Sequence, residues 1–148
     1  MSGRSHRQAS LHLAAACPVL AGLVERHGPW RLGRRPRPDE RFATLANAIV
    51  SQQLAGRAAA AIWGRVVEVV GDPVIADAVL ATDPAALRAA GLSGAKTASI
   101  VDLAARVADG RLDLEGLGRL GDDEVKAALV TVRGIGPWTA DMFSMFAL

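Results

Sequence analysis

The sequence holds 148 residues, 51% hydrophobic and 22% charged, with a formal net charge of +2. That is enough apolar material for one packed domain and too much for a disordered chain. No apolar run reaches the ~18 residues that span a bilayer, and a single cysteine, Cys17, excludes an internal disulfide or a four-cysteine metal site within these residues.

The polar start, Met1 to Ser10, is followed by a short apolar stretch that runs into Pro18, which is not a signal-peptide pattern. A reducing cytoplasm is therefore the expected compartment. Pro18 suits the first turn of a helix, with Val19, Leu20, Leu23, Val24 and His27 on one face and Gly28-Pro29 as its stop. Trp30 to Pro38 reads as a loop. Arg26, Arg31, Arg34, Arg35, Arg37 and Arg41 crowd this region, either to meet phosphates or as a solvated arginine-rich loop; charge alone favours the loop. Residues 1–37 are thus expected to form an N-terminal helix with an arginine-rich loop, and 38–148 the core.

Phe42, Leu45, Ala46, Ile49 and Val50 fall at i, i+3, i+4, i+7 and i+8, the stripe of an amphipathic helix. Ser51-Gln52-Gln53 interrupts it, and a second helix resumes near Arg57 with Ile62, Val66, Val69 and Val70 inward. Gly71-Asp72-Pro73 and Asp83-Pro84 both read as helix starts, a cap followed by proline. Ile100, Leu103, Ala104 and Val107 mark a further helix closed by Asp109-Gly110. Asp122-Asp123-Glu124 place negative charge where a helix N-terminus favours it, ahead of a stripe of Val125, Ala128, Leu129 and Val132. No stretch alternates with period two, so the expected class is all-α.

The segment Leu129 to Asp141 carries the chemistry. A periodic helix is expected to end at Val132; Gly134 and Gly136 flank one apolar residue, Ile135, and Pro137 reopens a helix. So tight a join calls for glycine, for positive φ and for close approach. The turn's N–H groups and the next helix N-terminus then face outward together as an anion site, with Ile135 tucked inward.

Val132-Arg-Gly-Ile-Gly-Pro-Trp-Thr-Ala140 closely resembles the hairpin of the helix-hairpin-helix DNA glycosylase superfamily, and within it the 3-methyladenine type that acts on alkylated purines. Ala48-Ile-Val-Ser-Gln-Gln-Leu54 and Gly91-Leu-Ser-Gly-Ala-Lys96 resemble two further blocks, in the family's order. The resemblance implies a helix-hairpin-helix glycosylase fold with its hairpin at 126–147. It implies that Gly134, Ile135 and Gly136, helped by Thr139, grip the backbone of double-stranded DNA containing damaged bases. A side chain among Gln52, Gln53 and Leu54 would fill the gap left by a flipped nucleotide. An alkali cation on the carbonyls of Val130, Val132 and Ile135 is the one metal implied, and no cofactor is.

Superfamily members that cleave the strand through a Schiff base carry a lysine where this chain has Trp138, so lyase chemistry is not expected. Tryptophan instead suits a cationic alkylpurine, and Met142, one turn on, would share its face. Hydrolysis of the N-glycosidic bond needs a carboxylate near C1′, which in the family is an aspartate after the hairpin's second helix. That position lies beyond Leu148, so the fold is expected to be C-terminally incomplete and these residues inactive alone, with a missing C-terminal fragment as an expected partner. Asp141 is not expected to substitute for it. The alternative is a non-catalytic helix-hairpin-helix DNA-binding module, and a third reading makes the hairpin an ordinary turn in a helical interaction protein. His6, His12 and His27 lack ligand spacing. Cys17 is expected to be buried.

Overall fold

The computed structural model describes residues 3–30 and 33–148; Met1, and Arg31 of the arginine-rich stretch, lie outside them. The described residues form nine α-helices: α1 (Gly3–Ala16), α2 (Pro18–His27), α3 (Arg41–Ser51), α4 (Gly56–Val70), α5 (Ala76–Ala81), α6 (Pro84–Ala89), α7 (Gly94–Ala108), α8 (Asp122–Leu129) and α9 (Pro137–Ala147). Short 3₁₀ turns lie at Pro38–Glu40 and Gly116–Arg119, and among the described residues there is no strand, as the helical spacing requires. No helix among them is long and apolar enough to cross a membrane. The chain divides into two compact units, Met1–Arg35 and Pro36–Leu148.

In the first unit α1 and α2 pack together. The sequence pattern announces only α2, because Leu11 and Leu13 of α1 stay exposed and leave no buried stripe to read. Val19 also departs from its expected face and is exposed, whereas Leu20, Leu23, Val24 and His27 line an apolar groove with Leu13 and Trp30. Cys17 sits extended between the helices and is half-buried, not buried. The Ser10 hydroxyl donates to the His6 carbonyl (2.9 Å) and accepts the Trp30 N–H (3.1 Å), which anchors the end of the unit.

The second unit has one contiguous core. Its centre is α3, which packs on α4, α7 and α9. The stripe Phe42, Leu45, Ala46, Ile49 and Val50 is buried throughout, and Leu45 has no exposed surface. Burying a leucine of this kind contributes about 1.5–3 kcal/mol. Leu87 of α6, Ile100 and Leu103 of α7, and Leu129 of α8 complete the same core.

Several local expectations give way here. Arg41, grouped with the exposed arginines, is buried as the first residue of α3, and its Nη1 donates to the carbonyls of Leu114 (3.0 Å) and Glu115 (2.8 Å). Those carbonyls belong to a loop, and burying them without a donor would be costly. Val69 is exposed on α4, where Val66 alone of the expected valines is fully buried. Asp72-Pro73 does not start a helix; α5 begins at Ala76 after an extended Ile75. Asp83 does start one, its carboxylate accepting the Ala85 N–H (2.8 Å). α8 ends at Leu129 and not at Val132, because the chain tightens there into a turn whose Val132 N–H reaches the Leu129 carbonyl (3.1 Å).

Candidate nucleic-acid interface

Two turns on neighbouring helices form the site. The first follows α3. Gln52 caps that helix with an extended backbone, and Gln53 adopts φ 57°. Among the described residues it is the one non-glycine in the left-handed region. Gln53 and Leu54 are exposed, while Gln52 is half-buried and turned back.

The second turn joins α8 to α9. Gly134 has φ 77°, as the tight join demands, and a β-carbon there would stand 2.5 Å from Ser99 Oγ. Gly136 differs from expectation: its φ of −91° is open to any residue, and a β-carbon would meet nothing within 4 Å. Its freedom leaves room for a close approach from outside. Ile135 is buried as expected and its N–H is spent inside the turn, on the Val132 carbonyl (3.1 Å). Pro137 then opens α9 at its first position, where a missing N–H is harmless.

Both turns rest on α7. Ser93 caps it, accepting the Lys96 N–H (3.2 Å). Lys96 then reaches away, its Nζ donating to the carbonyls of Val50 (2.6 Å) and Gln52 (2.8 Å). Burial lowers its pKa from the ordinary lysine value. Two turns along, Asp102 accepts the Arg133 N–H (2.8 Å) at the entry to the hairpin and pairs with Arg106 (2.9 Å). Burial pushes the Asp102 carboxyl up, but the Arg133 N–H, the Arg106 guanidinium and the charge of Arg111 outweigh it and hold the pKa below the usual value. Lys96 closes the Gly91–Lys96 block and Asp102 belongs to no motif, but only their reach across the fold reveals what either holds.

The two turns also touch each other. Gln52 Nε2 donates to the Gly134 carbonyl (3.0 Å) and to Thr139 Oγ1 (3.4 Å). Thr139 is buried, so its hydroxyl faces the protein. Beside this junction lies a cavity of about 350 Å³, lined by Gln52, Gln53, Trp138, Met142, Phe143 and Phe146 among others. That volume is in the ~300–1,000 Å³ range of small-molecule sites. Trp138 is 71% exposed, so it is not a core residue. Met142 is half-buried on the same wall. No Asp or Glu lines the cavity among the described residues. Asp141 instead forms an ion pair with Lys126 (2.9 Å), with 52% of its side chain exposed.

No protein-family model matches the chain. It is 30% identical over 144 residues to DNA-3-methyladenine glycosylase 1 of Schizosaccharomyces pombe, covering 95% of this chain and 63% of that protein. A crystal structure of DNA-3-methyladenine glycosidase from Bacillus halodurans superposes with a TM-score of 0.76 at 38% identity, covering 84% of this chain and 56% of that one. The S. pombe 3-methyladenine DNA glycosylase in complex with abasic DNA superposes with a TM-score of 0.79 at 28% identity, covering 95% of this chain and 70% of that one. The chain thus spans somewhat under two thirds of the length of the curated S. pombe relative.

Proposed function

We propose that the chain is a member of the helix-hairpin-helix DNA glycosylase superfamily and that it recognises damaged bases in duplex DNA for base-excision repair, a reading supported by its likeness to 3-methyladenine glycosylases. The observation that carries this reading is the Gln52 bridge, which sets the hairpin and the 52–54 turn side by side at the mouth of a cavity walled by Trp138.

The family resemblance suggests a division of labour, and the geometry supports it. Backbone N–H groups of Gly134, Gly136 and the first turn of α9 hold a phosphate, aided by the helix dipole. An alkali cation on the carbonyls of Val130, Val132 and Ile135 would add positive charge there. Val132's oxygen already accepts one N–H, and its second lone pair suits such a cation. Gln53 fills the gap in the stack, since Gln52 is occupied as a strut and Leu54 lies one residue further toward α4. The flipped base enters the cavity against Trp138 and Met142, which favour an electron-poor, cationic alkylpurine such as 3-methyladenine.

The chemistry is monofunctional hydrolysis. The chain has two lysines, and neither lines the cavity: Lys96 holds carbonyls and Lys126 holds Asp141. A carboxylate must stabilise the oxocarbenium-like transition state, and the cavity wall offers none. Asp141 is not that group, being paired and away from the cavity. These 148 residues are therefore expected to bind and flip without excising. The same missing carboxylate favours the second reading, a DNA-binding module without turnover. Action on chromosomal DNA would place either form in the cytoplasm, at the nucleoid.

Fluorescence anisotropy with duplexes containing a tetrahydrofuran abasic analogue tests the reading. The chain is expected to bind these more tightly than undamaged duplex, and Gly136→Asp, which sets a carboxylate against the phosphate, is expected to abolish binding. Normal binding by that variant overturns the hairpin's role. Excision of 3-methyladenine by the purified 148 residues overturns the claim that they lack turnover.

A further inference from the structure

Lys96 occupies an unfavourable place for a lysine. It is the third residue of α7, where the helix dipole opposes positive charge. Burial also strips water from its ammonium. Such a group stays only where it has strong partners, and Lys96 has two: the carbonyls of Val50 at 2.6 Å and Gln52 at 2.8 Å. Both lie at the end of α3, where carbonyls lose their intrahelical donors. In most helices water or a glycine cap meets that need. Here the charge comes from another helix, and its hold on the Gln52 carbonyl fixes the peptide that leads into Gln53, whose φ of 57° is unusual for a glutamine.

We propose that Lys96 is a positioning residue for gap recognition, clamping the 52–54 turn in the conformation that presents Gln53 to the duplex. This rests on the DNA-recognition reading given above. Lys96 touches no DNA; it acts through the backbone of the turn. Gln52's side chain ties the same turn to the hairpin, so the clamp also sets the spacing between the two DNA-contacting loops. Charge-assisted hydrogen bonds to a carbonyl are the strong members of their class, which suits Lys96 to hold the turn.

The test is a double-mutant cycle on the 148-residue chain, with Lys96→Met, Gln53→Ala and the pair. The readout is the ratio of affinities for the tetrahydrofuran duplex and the undamaged duplex. Lys96→Met is expected to reduce that ratio about tenfold. Gln53→Ala in the Lys96→Met background is expected to reduce it little further, because both act through one side chain. Should Lys96→Met not fold, Lys96→Gln, with a single amide to offer two carbonyls, carries the same comparison. An unchanged ratio in the lysine variant, or losses that simply add, overturns the proposal alone. A ratio near one in the unmodified chain overturns it together with the recognition reading beneath it.

Discussion

The side-chain amide of Gln52 donates to the carbonyl oxygen of Gly134 over 3.0 Å, joining two turns that lie 82 residues apart in sequence. Neutral, partly exposed hydrogen bonds contribute only about 0.5–1.5 kcal/mol to folding. Gln52→Ala is therefore expected to lower stability by no more than that, while weakening preference for an abasic duplex more than thermal unfolding would suggest. Urea unfolding and anisotropy on the same preparation check the two effects. Equal losses in both would make Gln52 a structural residue and nothing more.

The two hairpin glycines are predicted to behave differently. Gly134→Ala puts a β-carbon at positive φ and 2.5 Å from Ser99 Oγ on α7, and is expected to cost about 1–3 kcal/mol. Gly136→Ala has an ordinary φ and open space around it, and should fold normally. If the hairpin grips DNA as proposed, the effect of Gly136→Ala is expected on DNA affinity, where a methyl group would obstruct the approaching backbone. Similar unfolding midpoints for the two alanine variants would contradict this assignment.

Trp138 exposes 71% of its surface, so Trp138→Ala should leave stability within about 1 kcal/mol of the parent. Its loss should appear as a weaker preference for a duplex carrying a cationic N7-methylpurine over the unmodified duplex. A cation–π contact of ~0.5–2 kcal/mol corresponds to roughly a two- to thirtyfold change, with Trp138→Phe intermediate. Unchanged preference in Trp138→Ala would remove the ring from the base pocket.

Asp102 links hairpin integrity to acidity. Its pKa in the folded chain lies below the ordinary carboxylate value, the Arg133 N–H and Arg106 outweighing burial. The sign follows directly: the ionised group stabilises the fold above pH ~3.9, and that contribution is lost as pH falls through the depressed folded value. Asp102→Asn keeps an acceptor for the Arg133 N–H but has no charge to lose. Unfolding midpoints of the parent are expected to fall more steeply than those of the variant below pH ~4. Parallel curves would show that the charge is not what holds the hairpin.

The sequence discloses what is periodic or locally encoded. The α3 stripe, the Asp83-Pro84 start, the acidic first turn of α8 and the Gly134-Ile135-Gly136 join each follow from residues within a few positions of one another. It conceals what depends on distance. Arg41 resembles its exposed neighbours by composition, yet it caps loop carbonyls more than seventy residues away. Lys96 ends a recognisable block, but nothing local shows that it reaches the carbonyls of Val50 and Gln52, and nothing near Asp102 shows that it holds the Arg133 N–H. Helix α1 goes unnoticed for a different reason: its leucines are exposed, so no buried face imprints a period on the sequence.

Gln53 gives the chain a small reserve of unused stability. A side chain at φ 57° costs on the order of 1 kcal/mol that glycine would not incur. Gln53→Gly should therefore raise resistance to denaturant while removing the side chain proposed to fill the gap in the duplex. Under the proposed function, thermal robustness and lesion discrimination make opposite demands on this one position.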